Sequence, residues 1–260
     1  MNIAPAAESQ IPGLRRLWQT AFGDTDEFLD DFFSTAYAPE RSRCITVEGE
    51  IAAALYWFDC DLPYWASPTE FSVRKLAYLY AVATDPVHRG KGLCRKLMED
   101  TAETLKANGY DGMVLVPQKP NLIAMYEKMG FTHCSGVQEC HVMAGEPTAI
   151  QELTIDAFAL RRFGFSPEGA VLQWNENLRF LNTQARFYSG KNFVAVVAEV
   201  DGKLWCPEFL GKPEKAAALT AALGYREGDF RMPGSERPFA MFRPLAGDCP
   251  RPAYFGLAFD

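Results

Sequence analysis

Nine residues from Leu76 to Thr84 read Leu-Ala-Tyr-Leu-Tyr-Ala-Val-Ala-Thr, with no charge among them. A short apolar run of this kind, closed by Pro86, predicts a central strand buried on both faces. The chain then passes through His88-Arg89-Gly90-Lys91-Gly92 and places Leu93, Leu97, Ala102 and Leu105 at helical spacing, up to Asn108-Gly109. A buried strand thus turns into a helix through two glycines. Glycine lets the backbone turn tightly and approach a ligand closely. The first amides of a helix lack intrahelical acceptors, and the helix dipole adds partial positive charge there. A diphosphate is the natural guest of such a cradle. The plainer alternative for so short a motif is an exposed loop that only caps a helix.

Two common phosphate cradles are excluded. The chain has no GxxxxGK[ST] loop. Gly90-Lys91-Gly92 is followed by Leu93-Cys94-Arg95, so the third glycine of a dinucleotide fingerprint is missing.

Periodicity organises the rest. Residues 2–6 can open a sheet. Leu14, Leu17, Trp18 and Ala21 predict a helix with Ser9 as its cap. Phe28, Phe32 and Phe33 predict a second helix, capped by Asp24 and split from the first by Gly23. Arg43–Val47 and Ile51–Phe58 read as a hairpin, residues 59–74 as a loop holding Pro63 and Pro68, and Gly112–Val116 as a strand. Asn121–Met129 reads as a short helix stopped by Gly130, with extended chain from Phe131 to about Ala144. The order β, α, α, β, β, β, α, β, α, β predicts an α/β sheet flanked by helices over residues 1–145. Residues 146–260 are expected to form a smaller α+β domain. In it, residues 148–162 and 167–187 read as helices, Phe193–Val200 and Lys203–Cys206 as a hairpin, and Pro213 to Leu223 as a helix. Phe239–Arg243 and Tyr254–Phe259 read as late strands.

Composition narrows the function classes. The formal net charge of -7 gives no general attraction for nucleic acid or an anionic membrane. No apolar run reaches the length needed to span a bilayer, and no basic-then-apolar leader opens the sequence, so a cytoplasmic protein is expected. The seven cysteines are odd in number, widely spaced and without a CxxC pair, and the three histidines form no ligand pattern, so no metal is expected. Cys94 sits where a helix start can activate a thiol, although cysteine is more often a small apolar core residue.

The strand–Arg89-Gly90-Lys91-Gly92–helix arrangement resembles the GNAT superfamily of acyl-CoA N-acyltransferases, whose signature is [QR]-x-x-G-x-[GA]. Val87 stands where glutamine or arginine is usual. A second signature of that family resembles Asn121-Leu-Ile-Ala-Met-Tyr126-Glu-Lys-Met-Gly-Phe131, with a shorter spacing between Ala124 and Tyr126 than many members show. The resemblance covers about residues 1–145. It implies a mixed, mostly antiparallel central sheet and acetyl-CoA as cosubstrate. The backbone of Ala81, Val82 and Ala83 would pair with the pantetheine arm, and the amides of His88, Arg89, Gly90, Lys91, Gly92 and Leu93 would hold the diphosphate. Asn121 would contact the cofactor and Tyr126 would act as general acid. For Tyr126 the residues alone equally allow a tyrosine packed at a helix end, and for Asn121 a helix cap.

The resemblance implies acetyl transfer to a primary amine in a ternary complex; the alternative is a non-catalytic CoA-binding sensor or interaction protein. The acceptor is expected to be a small molecule or a peptide amine, with no nucleic acid or membrane partner, and the sequence leaves the assembly open, a homodimer included. The general base is not visible: Asp59, Asp61, Glu70, Tyr80 and a carboxylate at Asp260 are the candidates. Residues 193–245 faintly resemble a degenerate second GNAT half, with Pro213 where a cradle would need an amide. Trp174, Trp205, Phe209 and Tyr254 would then either line a substrate pocket or form that unit's core.

Overall fold

The computed structural model describes residues 1–259. The first part of the chain runs β1 (Asn2–Ala4), α1 (Ile11–Phe22), α2 (Asp26–Thr35), β2 (Ser42–Val47), β3 (Glu50–Ser67), β4 (Glu70–Thr84), α3 (Leu93–Ala107), β5 (Gly112–Leu115), α4 (Ile123–Glu127) and β6 (Thr132–His133). The ten-element order expected from periodicity is present, with shifted caps. Gly23 closes α1 in the left-handed region at φ 80°, and the Thr25 hydroxyl, not Asp24, accepts the Phe28 amide to start α2. A one-turn 3-10 helix, Glu8–Gln10, takes the place of a Ser9 cap.

The second part runs β7 (Gly136–Met143), β8 (Gln151–Glu152), α5 (Ile155–Phe165), β9 (Leu172–Gln173), α6 (Asn175–Gln184), β10 (Arg186–Gly190), β11 (Phe193–Val200), β12 (Lys203–Gly211), α7 (Glu214–Ala222), β13 (Glu227–Pro233), β14 (Arg237–Pro238) and β15 (Met241–Pro244).

Among the described residues the strands form two sheets. The first has the order β1-β2-β3-β4-β5-β15-β6, with β9 beside β3, and the second has the order β14-β7-β13-β12-β11-β10-β8. The first sheet is mixed and mostly antiparallel, with β4 and β5 its parallel pair. The sheets interleave in sequence. A division at residues 145 and 146 leaves β7 on the N-terminal side although it belongs to the second sheet. It leaves β15 on the C-terminal side although it lies between β5 and β6 in the first.

Three sequence readings are corrected. Residues 59–74 are not a loop: β3 and β4 pair from Ala53↔Thr84 to Ser67↔Glu70. Pro63 is tolerated because β2 has ended by Tyr56, so its missing N–H falls on an edge of β3 beyond that pairing. Residues 167–187 hold a shorter helix between two strands. Tyr254–Phe259 is not a strand; Tyr254 makes only a bridge to Ala170. The stretch is buried without a break from Tyr254 to Ala258, because Phe255 joins the core under α1 and α2 while Tyr254 and Leu257 join that of the second unit.

Helices cover both faces of the first sheet. Leu14, Leu17 and Trp18 of α1 with Leu29 and Phe32 of α2 pack on Tyr56, Phe58, Leu76 and Tyr78. On the other face Leu93, Leu97, Met98 and Leu105 of α3 pack on Leu55, Trp57, Ala77 and Leu79. The alternation along β4 that splits these sets follows from the two-residue repeat of a strand.

Candidate active site

The parallel pairing of β4 with β5 covers only Leu76↔Gly112, Ala77↔Met113 and Tyr78↔Val114. Beyond Tyr78, β4 continues to Thr84 while β5 stops at Leu115. The two strands part, and one edge of β4 is left without a strand partner at residues 79–84. A bulge accompanies the split: Ala54 pairs with Ala83 and Tyr56 with Tyr80, so β4 carries one residue more than β3 there. Ala81 takes φ +48°, uncommon for a residue with a β-carbon. In consequence Tyr80 and Ala81 both face the α1–α2 side, and Val82 returns to the α3 side. Periodicity gives no sign of this bulge.

The turn after β4 is built by Asp85. Its carboxylate accepts the Val87 amide at 2.9 Å, and its carbonyl accepts the His88 amide at 2.9 Å. The Arg89 amide donates to the Pro86 carbonyl at 3.3 Å. The amides of His88 and Arg89 are therefore committed inside the turn, a correction to the sequence-derived set. The Arg89 side chain folds back, its Nε donating to the Thr84 carbonyl at 3.1 Å.

From Gly90 onward the picture changes. The first intrahelical bond of α3 runs from the Lys96 amide to the Gly92 carbonyl. Among the described residues, none of the six amides from Gly90 to Arg95 finds a protein acceptor. Gly90 and Gly92 stand at φ +76° and +75°, and a β-carbon built on either meets nothing within 4 Å. Left-handed glycines alternating with ordinary residues aim successive amides into one concavity, which suits an anion. The residues fit a diphosphate by this test.

Tyr126 lies on α4, 6 % exposed, in the same apolar cluster as Leu93, Val82 and Cys94. Burial, and secondarily the nearby Cys94 thiol, push its hydroxyl well above the ordinary tyrosine value. Its ring stands edge-on to Phe131 at 5.9 Å. Burial also pushes the Cys94 thiol up, against any activation by the helix start. Asn121 is exposed in the 3-10 turn Pro120–Leu122 ahead of α4; it is not the cap of that helix, a position held by Leu122.

Tyr80 is the one base candidate beside the split, its ring packed among Trp18, Phe32, Phe58 and Phe180. Asp59 and Asp61 pair with Ala77 and Lys75, toward the other end of β4, and Glu70 lies at the far hairpin turn. Asp260 lies outside the described residues. Phe209 and Tyr254 are core residues of the second unit, and Trp205 lies under the Arg231 guanidinium at 5.2 Å.

Comparison with known proteins bears on this geometry. The family described as acetyltransferase (GNAT) domain matches residues 2–134, just over half of the chain. No curated protein gives a significant match. A GCN5-related N-acetyltransferase from Kribbella flavida superposes with a TM-score of 0.69 at 16% identity, over 94% of this chain and 72% of that one. One from Anabaena variabilis gives 0.70 at 13%, with the same shares. Eis1 from Mycobacterium abscessus gives 0.69 at 11%, over 94% and 74%. At these identities the solved structures speak for the fold, and the family match speaks for the chemistry. The chain belongs to the GNAT family and is a GNAT-type acyltransferase.

Proposed function

We propose that this protein transfers an acetyl group from acetyl-CoA to a primary amine, directly, with both substrates bound together. The observation that carries the reading is the row of six unpaired amides, Gly90 to Arg95, beside an unpaired edge of β4. A diphosphate on the amides of Gly90, Lys91, Gly92 and Leu93 would direct the pantetheine arm along Ala81, Val82 and Ala83, whose free edge supports strand-like pairing. Lys91, exposed at the turn, adds charge. Asn121 is the polar side chain we assign to the cofactor rim.

The thioester supplies an electrophilic carbonyl and a thiolate leaving group. An amide at the bulge can donate to the developing oxyanion. The amine nitrogen forms its new bond to the acyl carbon as the carbon–sulfur bond breaks, and the Tyr126 hydroxyl passes its proton to the departing sulfur. The hydroxyl is protonated at neutral pH, as at the ordinary tyrosine value, and burial keeps it so. The proton lost by the amine leaves through a base or water that we do not assign.

We also read the C-terminal unit as a second, degenerate GNAT half. Its strands β10-β11-β12-β13-β7-β14 repeat the order and directions of β2-β3-β4-β5-β15-β6, each with one parallel pair after the third strand and a helix before the fourth. Pro213 caps α7 where α3 has Gly92, which removes an amide from the equivalent place.

Titration calorimetry with CoA tests the cradle, and thiol release from acetyl-CoA across a panel of primary amines tests the transfer. Saturable binding with amine-dependent thiol release is expected. Absence of CoA binding would overturn the cradle, and binding without release to any amine would leave a CoA-binding protein in its place.

A further inference from the structure

The hairpin of β3 and β4 runs on past the helix that covers it. Strand alternation puts Pro63 and Trp65 of β3, with Phe71 and Val73 of β4, on the face that carries α3. α3 covers Trp57 and Ala77 on that face, and Tyr110 reaches the next pair along, Asp59 and Lys75. Farther out, Pro63 pairs with Val73 and Trp65 with Phe71, the two rings of the outer pair 5.4 Å apart. Trp65, Phe71 and Val73 are 50–57 % exposed. From Leu62 to Val73 the sequence carries a single charge, Glu70.

α5 extends this surface. A recess of about 150 Å³ lies between the hairpin and α5, lined by Pro63, Trp65, Phe71, Phe163, Ala170 and Leu172. Phe163 is 49 % exposed, and Leu160, one turn earlier on the same face of α5, is 71 % exposed. Of the nine large apolar side chains exposed among the described residues, five are gathered here. Scattered singly they would need no explanation, but a contiguous patch marks a contact surface. Half of three aromatic side chains, with Leu160 and Val73, presents on the order of 500 Å².

Area and shape select a second copy of this chain as the occupant. Doubled across a two-fold axis, the patch removes about 1,000 Å² of apolar surface before any polar rim is added, the size at which specific interfaces begin. A protruding leucine and a recess that can take a side chain stand side by side, and a two-fold contact needs both halves on one surface. Other occupants fit less well. Pro63 has no N–H to offer an added strand at the β3 edge. Glu70 and Glu168 are exposed at the rim, against an anionic bilayer. We infer that two copies associate through this surface, Leu160 of each seated in the recess of the other. Ala81 lies ten residues beyond Phe71 on β4, and at strand rise that is about 33 Å, so both acyl-transfer sites stay open. The inference does not rest on acyl transfer, and its failure would leave that reading untouched.

The test is sedimentation equilibrium of the full chain over about 1–300 µM, with flotation on phosphatidylcholine vesicles in parallel. A monomer–dimer equilibrium in the micromolar range is expected, as for an interface at the small end of the specific class. Each copy carries a net charge of -7, so association should tighten as sodium chloride screens the repulsion. Leu160→Asp and Trp65→Ser are each expected to weaken it by at least about tenfold. Both side chains lie largely in solvent, so the fold should persist, which circular dichroism checks. Met143→Ser, an exposed apolar residue on β7 away from the patch, should leave association unchanged. A monomer throughout that range would overturn the proposal, as would a trimer or larger ring. So would association that survives in folded Leu160 and Trp65 variants, or vesicle binding in place of self-association.

Discussion

Arg162 and Glu208 meet side on, Nε to Oε2 at 2.6 Å and Nη2 to Oε1 at 2.9 Å, with both side chains almost wholly removed from solvent. Two further bonds support the pair: Arg162 Nη1 donates to the Val171 carbonyl at 3.2 Å, and Tyr254 donates to Glu208 Oε1 at 3.0 Å. The network joins α5, β12 and the segment before β9 to the closing stretch of chain. Removing one partner strands a buried charge, which costs about 3–5 kcal/mol, whereas replacing both by apolar groups of similar volume costs far less. Glu208→Leu and Arg162→Met should each lower the urea midpoint strongly, and the double variant should recover much of the loss.

The cradle glycines are expected to act through the backbone. Gly92→Ala and Gly90→Ala bring no clash, since the space around each is open, but they place a β-carbon at φ near +75°. The conformational cost is about 1–2 kcal/mol for each. KM for acetyl-CoA should rise several-fold as the turn relaxes, with kcat for saturated enzyme changed less.

Tyr126→Phe removes a hydroxyl that makes no hydrogen bond to the described residues, so the fold should persist. The rate of acetyl transfer is expected to fall by about 10²-fold or more at an unchanged KM for acetyl-CoA, the usual scale for losing a general acid. Because burial holds the hydroxyl above the ordinary tyrosine value of 10.0, the wild-type kcat should not lose its acid limb below that pH. Any limb found above it should vanish in the variant.

His141 supplies a pH dependence of stability remote from the site. On β7 its Nδ1 lies 2.9 Å from Asp229 and its Nε2 3.5 Å from Glu227, both on β13. The hydrogen bond to Asp229 raises its pKa above the ordinary histidine value of 6.5. A raised pKa means the folded chain holds the proton more tightly, so the stabilisation is complete below pH 6.5 and fades as pH climbs through the raised value. The group is exposed, so the effect is small and should weaken in high salt. Thermal melts of the native chain and His141→Gln should converge at alkaline pH and separate below pH 6.

Much of the acyl-transfer site could be read from local sequence because its parts are local. The run Leu76–Thr84, the two glycines and the helix from Leu93 are contiguous, and Tyr126 sits in a motif of its own. What escaped is set by pairing. The bulge at Ala81 depends on which β3 residues face it, and no two-residue repeat in β4 announces a positive φ. The commitment of the His88 and Arg89 amides depends on Asp85 reaching forward by two residues, an Asx turn that the side-chain type allows and does not dictate. The length of β3 was hidden by Pro63, which reads as a breaker unless the neighbouring strand is known to have ended. A recess lined by Asp61, Lys75, Trp174 and Glu176 brings together residues about 100 positions or more apart, and no spacing rule links them.

The exchange of β7 and β15 between the sheets bears on how the protein is made. While the chain is being synthesised, β5 and β6 emerge with the slot between them vacant, because Met241 follows His133 by more than a hundred residues. At about 5–20 residues per second the wait is roughly 5–20 s. Throughout that interval a nascent polypeptide offers two bare strand flanks that a neighbouring copy could fill.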